Sequence, residues 1–182
     1  MKHLAFQIVL LLFITTACFA KEPVRSFECM VERVLDGDTV SCGLKSSGGT
    51  YVKIRLYGVD APEIEHRNKK TGLVSKKGQP FGSEAMDALH SKVYGSVINV
   101  DVINVDRYKR LVGVLNIGNR NINREMVSEG WSWAYRQYLD RPHASEYITA
   151  EEQARSKKLA LWKQSNPQPP WEFRKLQKKG SK

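Results

Sequence analysis

Acidic and guanidinium side chains gather at three places along this chain of 182 residues. Asp36 and Asp38 flank Gly37. Asp60 and Glu63 come shortly after Arg55, and Arg107, Tyr108 and Arg110 share a later polar turn. Carboxylates of this kind, completed by carbonyls and waters, suit a hard divalent cation, and Ca²⁺ accepts an irregular oxygen set. Two arginines facing such a cation would grip a phosphodiester and the extra negative charge of its transition state. Alone, Asp36-Gly37 is what a hairpin turn calls for, and any single Arg in a basic protein is a solvated surface group. The combination carries more weight than its members.

Other chemistries find less support. His66, His90 and His143 have no evident paired partners and are expected to be surface or structural. No GxSxG or Cys/His signature is present, and no CxxC or HxxxH spacing offers a zinc site.

The elements that must position these groups are readable from the pattern. Phe27 to Leu35 has strand composition and enters the Asp36-Gly37-Asp38 turn; Thr39 to Leu44 is its partner, and Lys45 to Gly49 is a loose turn. In Tyr51 to Leu56 the apolar Val52, Ile54 and Leu56 alternate with Lys53 and Arg55, which places Arg55 on the polar face of a strand. Glu65 to Gln79 is a Lys-rich loop too long for a plain connector. Glu84 to Tyr94 reads as a helix ended by Gly95, and Val97 to Val105 and Leu111 to Ile117 as two more strands. Ile122 to Glu129 is a short helix stopped by Gly130, and Ser145 to Lys163 a longer one. After it, Asn166 to Trp171 breaks regular structure and leads to a basic end expected to be extended or loosely docked. Five strands with a helix after the third predict an α+β, mainly β fold: a five-stranded OB-type Greek-key barrel with three α-helices. In such a barrel the Asp36–Asp38 turn and the Asp60–Glu63 segment lie close together, because their strands are neighbours.

Composition narrows the partner. Lys and Arg number 29 against 19 Asp and Glu, a formal charge of +10, which favours a polyanion: nucleic acid, an anionic membrane surface or polyphosphate. A hydrophobic content of 41% supplies a core and excludes wholesale disorder. Three Cys are too few for a disulfide-held miniprotein. Residues 1–20 read as a signal peptide, with Lys2 and His3, an apolar run, and Ala17-Cys18-Phe19-Ala20 before a cut after Ala20. A lipoprotein signal ending at Cys18 fits less well, since Thr15 stands where a large aliphatic residue is expected. The expected address is periplasmic or secreted. Residues 21–163 then form the domain, and 164–182 a Pro-rich, then basic tail. In an oxidising compartment Cys29 and Cys42, on either side of the first hairpin, suit a disulfide; the other reading is two small buried hydrophobes.

Asp36-Gly37-Asp38-Thr39, then Arg55-Leu56-Tyr57-Gly58-Val59-Asp60-Ala61-Pro62-Glu63, then Asp106-Arg107-Tyr108-Lys109-Arg110 resemble the three signatures of the staphylococcal (micrococcal) nuclease family. The resemblance covers about residues 27 to 163. It implies a Ca²⁺-dependent phosphodiesterase that cuts DNA and RNA, single- or double-stranded, and leaves 3′-phosphates. By that resemblance Asp38, Asp60 and the Ala61 carbonyl would ligate one Ca²⁺ ion, with Asp36 acting through water. Ala61 stands where the family often has Thr, which keeps the carbonyl. Glu63 would be the general base or the group orienting the attacking water, and Arg55 and Arg110 would stabilise the transition state. Arg107, Tyr108 and Tyr135 would contact substrate, with Tyr138 a weaker candidate displaced by one residue from the usual spacing. Trp131 and Trp133 read as scaffold. The loop lysines Lys69, Lys70, Lys76 and Lys77 either guide phosphates or are simply solvated. No obligate protein partner is expected, and the protein is expected to be a monomer. Two rivals remain at this stage: an OB-type nucleic-acid-binding module without catalysis, and a basic exported protein that binds anionic envelope polymers or lipid.

Overall fold

The computed structural model describes residues 25–44, 50–141 and 143–180. The expected signal peptide with its cut after Ala20, Cys18, and the expected Lys45–Gly49 turn lie outside them. Five strands form the barrel: β1 Arg25–Asp36, β2 Thr39–Gly43, β3 Tyr51–Leu56, β4 Val97–Val105 and β5 Leu111–Ile117. β1 pairs antiparallel with β2 and β4, β2 with β3, and β4 with β5. A parallel pairing of β3 with β5, Arg55 opposite Val112, closes the ring. Closure leaves no barrel strand with an open edge.

The interior is filled by the alternating residues of these strands: Val31, Val40, Ile54, Leu56, Ile98, Val100 and Leu115 are all buried. Helix α1, Gly82–Val93, caps that core with Ala85, Leu89 and Val93. Cys29 and Cys42, on the adjacent strands β1 and β2, are bonded across a Cα separation of 5.6 Å.

Helix α2, Ile122–Ser128, starts where the Asn121 side chain accepts the Arg124 N–H at 2.9 Å, and it ends before Gly130 at φ 80°. It carries a buried amide, Asn123, that joins three chain segments. The Asn123 side chain accepts the Leu115 N–H and donates to the carbonyls of Tyr57 and Gly113, each at 3.0 Å. Truncating it strands buried backbone groups. Asn123→Ala should therefore cost about 3 kcal/mol, read as a shift in the urea midpoint at unchanged slope.

Helix α3, His143–Ser156, is shorter than the periodicity implies, and Leu161 and Trp162 fall in a separate 3₁₀ turn, Ala160–Lys163. The stop is a Schellman motif without glycine. Lys158 takes φ 50°, its N–H donates to the Arg155 carbonyl, and the Leu159 N–H donates to the Ala154 carbonyl, both at 3.0 Å. The basic end is neither extended nor loose: Pro170–Gly180 is a fourth helix, α4. The Lys-rich loop is partly ordered as well, with His66–Arg67 pairing against Val74–Lys76.

Candidate active site

The barrel register itself assembles the acidic groups. Thr39 lies opposite Arg55 across the β2–β3 pair, so Asp38 at the turn comes beside the Arg55 side chain. The turn is pinned by the Leu56 N–H, which donates to the Asp38 carbonyl at 2.8 Å. Gly37 permits a close approach that nothing larger would: a Cβ there would sit 2.7 Å from Ala61 Cβ and 2.9 Å from Ala85 Cβ. After β3, the short strand Val59–Asp60 pairs with Trp133–Ala134, fixing Asp60 opposite Trp133. The next residue but one after Trp133, Tyr135, donates its N–H to the Gly58 carbonyl at 2.8 Å and so lies beside the same segment.

Glu63 is held through its backbone. Its N–H donates to Gln79 Oε1 at 3.1 Å, and its carbonyl accepts the Gln79 N–H at 2.8 Å. At Gly82, where α1 begins, a Cβ would come within 2.3 Å of the Glu63 carbonyl oxygen, so only glycine lets the helix pack here.

Arg55 bridges the carboxylates. Its guanidinium donates to Asp38 Oδ1, to Asp60 Oδ1 at 2.7 Å and to the Val59 carbonyl at 3.1 Å. Asp38 Oδ1 also accepts the Thr39 hydroxyl at 2.9 Å, and Asp38 Oδ2 accepts the Ala61 N–H at 3.1 Å. Burial drives Asp38 upward, but the Arg55 charge and these donors outweigh it and hold the carboxyl below its ordinary range. Asp60 is raised because burial prevails over its hydrogen bonds to arginine. Asp36, half-buried beside them, is pushed up to about 8 by burial and then by the neighbouring Asp38 charge. One of its oxygens accepts the Asp38 N–H at 3.0 Å.

Removing Arg55 leaves buried Asp38 without its counter-charge and buried Asp60 with one fewer cation beside it. Arg55→Ala should destabilise the metal-free protein by about 3–5 kcal/mol, and urea unfolding in chelator measures it.

Arg110 enters the same cleft from the start of β5. Asp106 brackets it, accepting the Arg110 backbone N–H at 2.9 Å and its Nε–H at 2.8 Å. Burial raises the Asp106 carboxyl, and the donors from Arg110 and Tyr108 more than reverse that, keeping it ionised. The guanidinium carbons of Arg107 and Arg110 lie 4.8 and 5.6 Å from the exposed Tyr108 ring. Together these residues line a cleft of about 950 Å³ that also includes Asp36, Asp38, Arg55, Ala61, Glu63, Tyr135 and Tyr138.

The residues singled out from the sequence for catalysis, metal or substrate thus line this cleft, except Asp60, which is fully buried and bonded to the lining residue Arg55, and the loop lysines other than Lys76. One face of Tyr135 is covered, however: Trp171 stacks on it at 5.2 Å and 3°. Tyr138 meets it edge-on at 4.7 Å. Trp133 is buried and Trp131 packs against the core, as scaffold residues do. His90 stacks on Tyr94 and His143 meets Tyr57 edge-on. Of the loop lysines, Lys76 pairs with Glu63 Oε2, while Lys69, Lys70 and Lys77 are exposed.

Two participants had no place in the sequence reading. Gln79 fixes Glu63, and Arg174 of α4 donates to both Asp60 and Glu63. The signal for α4 was present in Pro170, a residue well suited to the first position of a helix, but it sat among other prolines.

The donor set fits a hard cation. The side chains are carboxylates only, Asp38 and Asp60 are buried, and the Ala61 backbone is beside them. Among the described residues no three His, Cys, Asp or Glu side chains form a metal cage by themselves. Such an ion would draw further oxygens from backbone and water.

The sequence pattern of the staphylococcal nuclease homologue family matches residues 53–164. An uncharacterized endonuclease of Haemophilus influenzae is 33% identical over 177 residues, 97% of this chain and 87% of that one. The micrococcal nuclease of Shigella flexneri is 34% identical over 161 residues, covering 84% of this chain and 83% of its own. A staphylococcal-like nuclease of Arabidopsis thaliana is 34% identical over 129 residues, 71% of this chain but 35% of the plant protein. The matched segment begins in β3, runs through Asp60, Glu63 and Arg110, and ends after the 3₁₀ turn, so the chain belongs to the staphylococcal nuclease homologue family.

Proposed function

We propose that this protein is an exported, Ca²⁺-dependent nuclease that hydrolyses phosphodiester bonds of DNA and RNA with low sequence specificity and leaves 3′-phosphates. The observation that carries the reading is the convergence of Asp38, Glu63, Arg55 and Arg110 on one cleft of a basic protein, with buried Asp60 bonded to Arg55. Asp38, Asp60 and the Ala61 carbonyl would hold one Ca²⁺ ion, with Asp36 reaching it through water. The ion would supply charge neutralisation at the phosphate and a more acidic water.

The chain's own residues do the rest. Glu63, its backbone locked to Gln79, takes a proton from the attacking water or orients it; a carboxylate is a weak base, so the water must be polarised nearby. Arg55, already rigid between Asp38 and Asp60, and Arg110, bracketed by Asp106, present fixed N–H donors to the phosphoryl oxygens and the charge developing on them. Tyr108 offers an exposed ring to a base without reading sequence. Binding dominated by phosphate contacts weakens with salt. Three contacts to single-stranded DNA predict a slope of about 2 in log Kd against log salt, and a flat dependence would contradict the cleft as the binding surface.

The experiment incubates purified residues 21–182 with plasmid and single-stranded DNA and with RNA, in Ca²⁺ or excess chelator, and analyses the product ends. Cleavage only with Ca²⁺ and 3′-phosphate termini support the reading. Nucleic acid retained but uncut in both conditions makes the protein a binding module.

A further inference from the structure

The carboxylates proposed to serve the divalent ion are already held by a cation of the chain itself. Arg174 donates from Nη1 to Asp60 Oδ1 at 3.1 Å and to Glu63 Oε1 at 2.7 Å, and from Nη2 to Asp60 Oδ2 at 2.8 Å. With Arg55 on Asp60 Oδ1, three N–H donors crowd the two oxygens of a fully buried carboxylate. The second Glu63 oxygen is taken by Lys76. Ionised carboxyl oxygens offer about four acceptor directions in all, so in this arrangement little of Asp60 is left for a metal and little of Glu63 for a water proton.

The helix that delivers Arg174 is anchored independently of that contact. Trp171 stacks on Tyr135 and meets Trp133 edge-on at 5.6 Å. Gln79 Nε2 donates to the Gln168 carbonyl at 3.0 Å and Gln177 Nε2 to the Lys77 carbonyl at 3.3 Å. Phe173, Arg174, Gln177 and Lys178 wall the cleft. All of α4 lies beyond residues 53–164, the segment that matches the family pattern.

Resting on the reading of Asp60 as a ligand, we propose that α4 is a latch. Arg174 is the resident counter-cation of Asp60 and Glu63, and a divalent ion binds by displacing it. The two cations exclude one another at Asp60, so the latch lowers the apparent affinity for the ion by the fraction of molecules in which α4 is closed. Opening also frees Glu63, which couples ion binding to release of the base.

Ca²⁺ titration calorimetry on the full chain without nucleic acid tests this, with Trp171 emission followed in parallel and Trp171→Phe assigning the signal. Loss of hydrogen bonds to charged groups predicts that Arg174→Gln tightens Ca²⁺ binding about 10- to 100-fold. Trp171→Ala, which loosens the anchor and leaves the site charges intact, should tighten it several-fold. In the unaltered chain Ca²⁺ should shift Trp171 emission. Unchanged or weaker binding in both variants, with binding still abolished by Asp60→Asn, overturns the latch and leaves the metal reading standing. Binding that survives Asp60→Asn overturns both.

Discussion

Glu63→Gln is expected to lower kcat by about 10²- to 10⁴-fold while leaving Ca²⁺ affinity within a few-fold of the unaltered chain. The amide is isosteric, and the backbone hydrogen bonds to Gln79 are untouched. What it loses is the capacity to accept a proton from water. The substitution also removes one charge from a cluster in which Lys76 and Arg174 both pair with Glu63, so stability in chelator should be measured beside activity. Near-full kcat in the Glu63→Gln variant would remove Glu63 from the proton transfer.

Arg110→Ala is expected to cost about 10²- to 10³-fold in kcat, with a smaller effect on KM, because a fixed donor aimed at developing charge acts mainly in the transition state. Lysine should rescue only part of the loss, since a point charge cannot reproduce the guanidinium geometry that Asp106 now orients. Arg110 is the cleaner of the two arginines to test. Arg55 also neutralises Asp38 and Asp60, so its removal mixes folding with catalysis. A raised KM with unchanged kcat for Arg110→Ala would make it a substrate-binding residue alone.

Much of this was legible in the residues themselves. β3, β4 and β5 run Tyr51–Leu56, Val97–Val105 and Leu111–Ile117, the same limits that alternation and turn signals give. The acid–arginine motifs were legible because each is short and sits at a strand end, where neighbouring strands bring them together. The end of α3 was not: the left-handed residue of its Schellman turn is Lys158 rather than glycine, and a lysine in a basic stretch carries no stop signal. Nor was Arg174. It meets Asp60 and Glu63 across 114 and 111 residues of chain, and no local pattern encodes a contact made by tertiary docking. Lys76 on Glu63 is similar, since the loop hairpin that aims it depends on Gln79 and Gly82 packing against the Glu63 backbone.

The most direct test of the account is cleavage of plasmid DNA by the unaltered chain and by Glu63→Gln and Arg110→Ala, each in Ca²⁺ and in excess chelator, with the termini identified. Ca²⁺-dependent cutting to 3′-phosphate ends is expected of the unaltered chain, with a loss of at least about 10²-fold in both variants. Cutting that persists in chelator, or that survives both substitutions, would contradict the claim that this cleft is the catalytic centre.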